Sequence, residues 1–231
     1  MNSPSLKLSP LHDVLEHMNP AWGRLHDTMV PISFGSIQNE CEHKNRLALC
    51  DVSALPRLGL KGMGAKAWLQ KNGFEIPSAI YGKANIAGDG ILLRTGDSEF
   101  FIEGGIADTS VNKWFDDLAS APDVHRICRQ DAAMLLSGRD AVKVLLETCG
   151  YDFTKHPGGV VMSRVAGVSC AILPQDLRGT PVLRIWCDGS FGAYLWETLL
   201  EIVRAIGGNA VGMACFFPNA FRANGEKGQT V

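Results

Sequence analysis

The sequence predicts an α+β fold of two related lobes, each built from strand–turn–helix units on mixed or antiparallel sheets with helices on one face. Two observations carry that prediction. A strand–glycine–helix pattern occurs twice, at residues 58–73 (LGLKGMGAKAWLQKNG) and 134–150 (MLLSGRDAVKVLLETCG). Without a gap, Leu60 matches Leu136, Gly62 matches Gly138, Ala65 matches Ala141 and Leu69 matches Leu145, as an internal duplication would give. Secondly, hairpin signals interrupt the alternation of strands and helices, which argues against a doubly wound parallel sheet.

The elements follow in order. Residues 1–10 are polar, with three Ser and two Pro, and read as a flexible arm. Residues 11–17 can form a short helix, stopped before Pro20. Residues 36–48 read as a helix capped by Ser36, with Ile37, Cys41, Leu47 and Ala48 near one face, and Asp51-Val52-Ser53 as the turn after it. In each repeat an apolar strand runs into a glycine that permits a sharp turn. A helix starts at once and buries an Ala and a Leu four apart. Residues 90–94 and 100–102 flank a hairpin turn, Thr95-Gly96-Asp97-Ser98. After a strand at 99–103, Val111, Trp114, Phe115, Leu118 and Ala119 trace a helical stripe. Residues 160–165 and 168–173 form a second hairpin about Ala166-Gly167. A strand at 182–187 leads to the clearest helix. There Phe191, Tyr194, Leu195, Thr198, Leu199, Ile202, Val203 and Ile206 keep one face, and Gly207-Gly208 ends it. The expected division is an arm (1–10), a first lobe (11–125), a second lobe (126–213) and a C-terminal tail (214–231).

Composition narrows the function. The 231 residues carry 22 Lys+Arg against 24 Asp+Glu, a net charge of -2. A nucleic-acid binder needs a basic surface to neutralise phosphates, so none is expected as a partner. With 46% hydrophobic and 20% charged residues the chain can bury a core. No apolar run reaches the roughly 18–20 residues that span a bilayer, and residues 1–10 lack the apolar centre of a signal peptide. No membrane partner and a cytoplasmic location are therefore expected. Seven cysteines (41, 50, 128, 149, 170, 187, 215) lack C-x-x-C spacing, and most read as reduced core residues.

Chemical motifs are sparse. Walker, zincin and nucleophile-elbow patterns are missing. Gly62-Met63-Gly64 lacks the third glycine of a dinucleotide turn, so it reads as a turn. Cys41 and His43 lie two apart on a helix and point to different faces, which leaves no metal pair. Asp89, in Ala87-Gly88-Asp89-Gly90, is the one carboxylate placed to hold a bound amine or ring nitrogen, although Asp-Gly is also a common turn pair. Residues 215–221 are apolar and broken by Pro218; they read as neither helix nor central strand. Trp22, Phe216, Phe217 and Phe221 are therefore the interface candidates, covering either the chain's own sheet edge or a neighbour.

Ser9-Pro10-Leu11-His12, the stretch from Glu40-Cys41-Glu42-His43 through Arg46 to Asp51-Val52-Ser53, and Leu60-Lys61-Gly62-Met63-Gly64-Ala65 resemble, in this order, the opening of the glycine-cleavage T-protein (aminomethyltransferase) family. Leu136-Ser137-Gly138-Arg139-Asp140-Ala141 resembles that family's second repeat. The resemblance implies the family's folate-binding fold. It also exposes departures. Where the family has paired aspartates, Asp89 matches one and Gly90 stands at the other. Residues 173–181 lack the family's glutamate, and residues 214–231 stand where the family continues into a C-terminal barrel. Cys50-Asp51-Val52-Ser53-Ala54-Leu55-Pro56-Arg57 through Gly62, with those losses, resembles the gamma subunits of heterotetrameric sarcosine oxidases. That resemblance implies a non-catalytic subunit with no cofactor or metal of its own. FAD, FMN, NAD and tetrahydrofolate would sit on larger flavin- and folate-binding partners, which oxidatively demethylate sarcosine or a related N-methyl amino acid. The alternative is a small tetrahydrofolate-dependent aminomethyl or one-carbon transferase, in which Asp89 would orient the amine or the folate ring.

Overall fold

The strand–glycine–helix repeat is the joint about which each part of the chain is built. The computed structural model describes residues 6–155 and 158–221. They divide into two compact units that are not consecutive stretches of chain. Unit 1 takes residues 6–54, 131–155 and 162–221; unit 2 takes 55–130 and 158–161. The expected lobes 11–125 and 126–213 divide the chain differently. The chain leaves unit 1 after Ala54 and returns at Asp131, so residues 11–54 fold with the later part of the sequence.

Unit 1 begins with α1 (His12–Glu16), β1 (Ala21–Leu25), β2 (Thr28–Ser33), α2 (Ile37–Arg46) and β3 (Ala48–Asp51). In unit 2, β4 (Arg57–Lys61) leads to α3 (Ala65–Lys71), then β5 (Lys83–Ile86), β6 (Gly90–Arg94), β7 (Glu99–Glu103), α4 (Ser110–Asp117) and β8 (His125–Cys128). The chain re-enters unit 1 as β9 (Ala132–Ser137), α5 (Ala141–Thr148), β10 (Val161–Val165), β11 (Val168–Leu177), β12 (Thr180–Cys187), α6 (Gly192–Ala205), β13 (Asn209–Ala210) and α7 (Pro218–Phe221).

Unit 2 is a five-stranded sheet in the order β5-β6-β7-β4-β8. On one face, Ala65 and Leu69 of α3 and Val111 of α4 pack with Leu58, Leu60, Leu92, Phe100 and Ile102 of the strands. Each leucine fully buried there contributes about 1.5–3 kcal/mol. Unit 1 has a six-stranded sheet, β10-β11-β12-β9-β3-β13, and a separate two-stranded sheet, β1-β2. The short β3–β13 ladder is parallel, whereas β9 runs antiparallel to both β12 and β3. The mixed α+β architecture predicted from the sequence is the observed one, and no sheet among the described residues closes into a barrel.

The two sheets repeat one plan. In each, the strand before the glycine is followed by a helix, a three-stranded antiparallel run and a second helix. Gly62 (φ +128°) and Gly138 (φ +96°) make the turn in a region that side chains rarely enter. The Gly62 N–H donates to Ser98 O and the Gly138 N–H to Pro181 O, while Ala65 N and Ala141 N donate back to the two glycine carbonyls at 3.0 and 3.1 Å. Ala65, Ala141, Leu69 and Leu145 are all buried, so the matched residues hold matched places. The plans differ in their fifth strand. Unit 2 closes with β8, which follows its own α4; in unit 1, β3 from the start of the chain lies beside β9, and β13 is displaced one place outward.

Several expectations change. Residues 7–10 are tied down rather than free: Lys7 bridges to Thr28, and Ser9 is buried. Residues 1–5 of the expected arm lie outside the described residues. The helix expected at 36–48 ends at Arg46, and residues 48–51 form a strand in which all four side chains are buried. The stripe on α6 is rotated. Gly192, Leu195, Trp196, Leu199, Leu200 and Val203 face inward, leaving Phe191 and Tyr194 about half exposed. Both stripes share Leu195, Leu199 and Val203; the larger apolar surface of Trp196 and Leu200 decides which side of that line is buried. Residues 215–221 were expected to exclude helix, yet Pro218 opens a short one (α7), at the helix start where its missing N–H costs nothing.

The glycine joints make a direct comparison possible. A Cβ on Gly138 would sit 2.4 Å from backbone atoms of Arg46, whereas one on Gly73 (φ +80°) meets nothing within 4 Å. Gly73→Ala should cost only the left-handed strain, about 1–2 kcal/mol. Gly138→Ala should cost clearly more in urea denaturation, because backbone must move as well; equal losses would contradict the joint.

Candidate functional site

Of the residues that carried the sequence motifs, Ser9, Glu40, Asp51 and Ser53 form two hydrogen-bond nodes in unit 1. At the first, the buried Glu40 of α2 spans three segments. Its Oε1 accepts from the Phe34 N–H at 2.7 Å and the Gly35 N–H at 2.9 Å, and its Oε2 accepts from the Gly212 N–H at 2.7 Å. One turn further along α2, Lys44 Nζ donates to Cys215 O at 3.3 Å and lies over the Phe216 ring. Arg178 donates to Phe216 O and lies over Phe217. The 212–217 segment is therefore clasped from both sides.

At the second node, Ser9 Oγ donates to Asp51 Oδ2 at 2.6 Å, and Asp51 Oδ1 accepts from the Ser53 N–H at 2.8 Å. Ser53 Oγ accepts from the Ala133 N–H at 2.9 Å, and the Val52 N–H donates to Ala133 O. The Asp-Val-Ser triplet thus locks the end of β3 to the start of β9, and the Ser-Pro-Leu motif is tied in from outside. Arg46 Nη2 donates to Ile206 O and pairs loosely with Asp140. The hydrogen bond from Lys143, 2.7 Å away, holds the Asp140 carboxyl below the usual carboxylate range, with Arg139 and Arg46 adding to it. Every motif residue in these nodes has a structural task.

Asp89 stands at the tip of the β5–β6 hairpin, in a left-handed conformation (φ +67°) and exposed. Trp22 is half-buried on β1, its ring 4.7 Å from that of His12. Phe221 is half-buried on α7. Phe216 and Phe217 are a correction to the interface set: both lie in the interior of unit 1, at 4% and 2% exposure, so their rings cover the unit's own core. Asp89 belongs to unit 2 and the aromatic candidates to unit 1.

Sequence reasoning missed two buried polar pairs. Arg57 and Glu103 are directly opposed on β4 and β7, and Arg57 Nε donates to Glu103 Oε2 at 2.5 Å with both side chains at most 2% exposed. Arg184, 1% exposed, faces the Gln175 side-chain amide; with that amide turned so that its oxygen points inward, the oxygen accepts from Nε and Nη2 at 3.1 Å. Only strand register reveals such pairs. Among the described residues no group of three or more His, Cys, Asp or Glu could hold a metal ion, and no helix is long and apolar enough to cross a membrane. All seven cysteines are free; Cys50, Cys170, Cys187 and Cys215 are buried. Burial pushes the Cys50 and Cys215 thiols up, reinforced at Cys215 by the Glu40 carboxylate.

This architecture has known counterparts. A crystal structure of glycine cleavage system aminomethyltransferase T from Bartonella henselae superposes with a TM-score of 0.74 at 19% identity, over 91% of this chain and 61% of that one. The fold is that of the aminomethyltransferases. Aminomethyltransferases of Bacillus cereus (strain G9842) and Bacillus anthracis (strain CDC 684) are 23% identical over 90% of the chain. The chain spans 62% of the length of these relatives. A chain of the heterotetrameric sarcosine oxidase from Corynebacterium sp. U-96 has the same fold at a TM-score of 0.60 and 16% identity, over 74% of this chain and 93% of that one. No protein-family model matches the chain.

Two measurements check the nodes. Glu40→Ala leaves three backbone N–H donors without their acceptor and should cost about 3–5 kcal/mol by chemical denaturation; Glu40→Gln, which keeps one acceptor, should cost about 1–3 kcal/mol. The Asp140 contribution is present at neutral pH and is lost as pH falls through its depressed folded value. Its carboxyl should titrate below 3.8 by NMR, and Lys143→Ala should move the midpoint back up.

Proposed function

We propose that this chain is a non-catalytic, structural subunit of a sarcosine-oxidase-like complex that oxidatively demethylates sarcosine or a related N-methyl amino acid. Flavin and nicotinamide chemistry (FAD, FMN, NAD) and tetrahydrofolate binding belong to larger partner subunits. One observation carries the proposal. The three buried carboxylates among the described residues all serve the scaffold: Glu40 accepts three backbone N–H groups, Asp51 takes Ser9 and Ser53, and Glu103 takes Arg57. Recognition of a pterin ring or an amine in a pocket calls for a sheltered carboxylate that is not already engaged. Those three do not fit that task, and Asp89 sits on an exposed turn. The 93% coverage of the sarcosine oxidase chain supports the same reading.

The aminomethyltransferase relatives, and the higher TM-score of the T enzyme, favour one alternative: a tetrahydrofolate-dependent one-carbon transferase in which Asp89 orients the amine or the folate ring.

The chain, tagged at its native locus, is expected to co-purify with flavin-bearing partners and to be colourless and inactive when isolated. Recovery only as a lone monomer would contradict the proposal. Trp22→Ala and Phe221→Ala should each weaken that assembly about tenfold, as loss of an interface anchor does, and leave the isolated chain folded. Titration of tetrahydrofolate into the isolated chain should give no micromolar binding. Binding that Asp89→Ala abolishes would establish the transferase instead.

A further inference from the structure

Cys170 and Cys187 face each other across the β11–β12 hairpin. The hairpin turn consists of Arg178 (φ +54°) and Gly179 (φ +82°), both left-handed, a two-residue loop that fixes the register. Two prolines reveal the phase of the ladder. Pro181 opposes Asp176 and Pro174 opposes Leu183. Proline has no N–H to donate, so both pairs occupy the non-hydrogen-bonded sites of the antiparallel ladder. Opposed pairs alternate between the two kinds of site, and Cys170 lies four residues before Pro174. The Cys170–Cys187 pair therefore also takes a non-hydrogen-bonded site. There opposed Cα atoms approach to about 4.5 Å and side chains stand closest, within the roughly 4.4–6.8 Å that a disulfide spans.

We propose that Cys170 and Cys187 form a reversible disulfide that pins the open end of this hairpin when the chain meets a hydroperoxide. The thiols already interact. The Cys170 thiol donates to Val168 O at 3.4 Å; its nearness holds Cys187 below the ordinary thiol range, while Cys170 itself is pushed up. Cys187 is thus the nucleophile. Its sulfur attacks the peroxide, the O–O bond breaks, and a sulfenic acid and one water form from hydrogen peroxide. Cys170 sulfur then displaces the hydroxyl, the S–S bond forms, and a second water leaves. Two thiols are oxidised by two electrons and one peroxide is reduced. Cys187 is the last residue of β12, just before the turn that opens into α6, so the bond fastens the strand where the chain departs for the helix. Cys149, whose thiol donates to Ser163 Oγ at 3.3 Å, is the neighbouring competitor.

The test uses the full chain. It is exposed to excess hydrogen peroxide, its remaining thiols are alkylated under denaturing conditions, and the digest is mapped by mass spectrometry. A Cys170–Cys187 linked peptide is expected, lost on dithiothreitol treatment, absent in Cys187→Ser and retained in Cys128→Ser. The wild-type map alone decides the matter if a variant fails to fold. Full alkylation of both residues after peroxide, over-oxidation without a link, or a Cys149–Cys170 link in its place would each overturn the proposal.

Discussion

One buried carboxylate holds unit 1 in register. Glu40 reaches from α2 to the backbone at Phe34 and Gly35 on one side and at Gly212 on the other. Those two segments are far apart in sequence, and both approach the sheet without ladder partners for these N–H groups. Removing the acceptor would leave three donors facing the interior, at a cost that the short β3–β13 ladder does not offset. The segment from Val211 to Phe217 depends on this tie. The 3-10 turn at Met213–Cys215, the inward placement of Phe216 and Phe217, and the contacts from Lys44 and Arg178 all follow once Gly212 is fixed.

The same economy of polar groups runs through the molecule. Ser9, Asp51 and Ser53 bind the start of the chain, the end of β3 and the start of β9 into one network. In unit 2 the Arg57–Glu103 pair does the corresponding task across β4 and β7. A buried charge must be paired or hydrogen-bonded, and here the partners come from the fold itself. The residues that make this chain resemble the aminomethyltransferases are, for the most part, the residues that hold the fold. The motif matches alone therefore do not assign a reaction.

The duplicated joint was legible in the sequence because glycine and alanine at fixed offsets have a direct steric meaning, and because Leu69 and Leu145 follow at helical spacing. Both hairpins at Thr95–Ser98 and Ala166-Gly167 were legible from their turn residues. The β3 strand was not. Leu47, Ala48, Leu49 and Cys50 are all buried, so they show no alternation, and Leu47 and Ala48 read as the end of the preceding helix. The β8 strand, His125–Cys128, shows little apolar pattern of its own and exists by pairing with β4. The α6 stripe was misplaced because Tyr194 and Ile202 extend one side of a shared line as plausibly as Trp196 and Leu200 extend the other. As for the candidate site, the Asp-Gly pair marks the turn on which Asp89 lies. For the aromatic segment at 215–217 both coverings stayed open, because apolar composition does not say whether the surface it covers is the chain's own. Glu40, Asp51 and Glu103 each take at least one partner 42 to 172 residues away, a distance no local pattern spans.

The central claim is that the Glu40 node belongs to the cooperative core and is not an adjustable site. Native-state hydrogen exchange of the Gly35 and Gly212 amides tests it most directly. Both should exchange only through global unfolding, with the same opening free energy and denaturant dependence as β9 amides such as Leu135. Exchange of either amide through a local opening, well below the global value, would contradict the account.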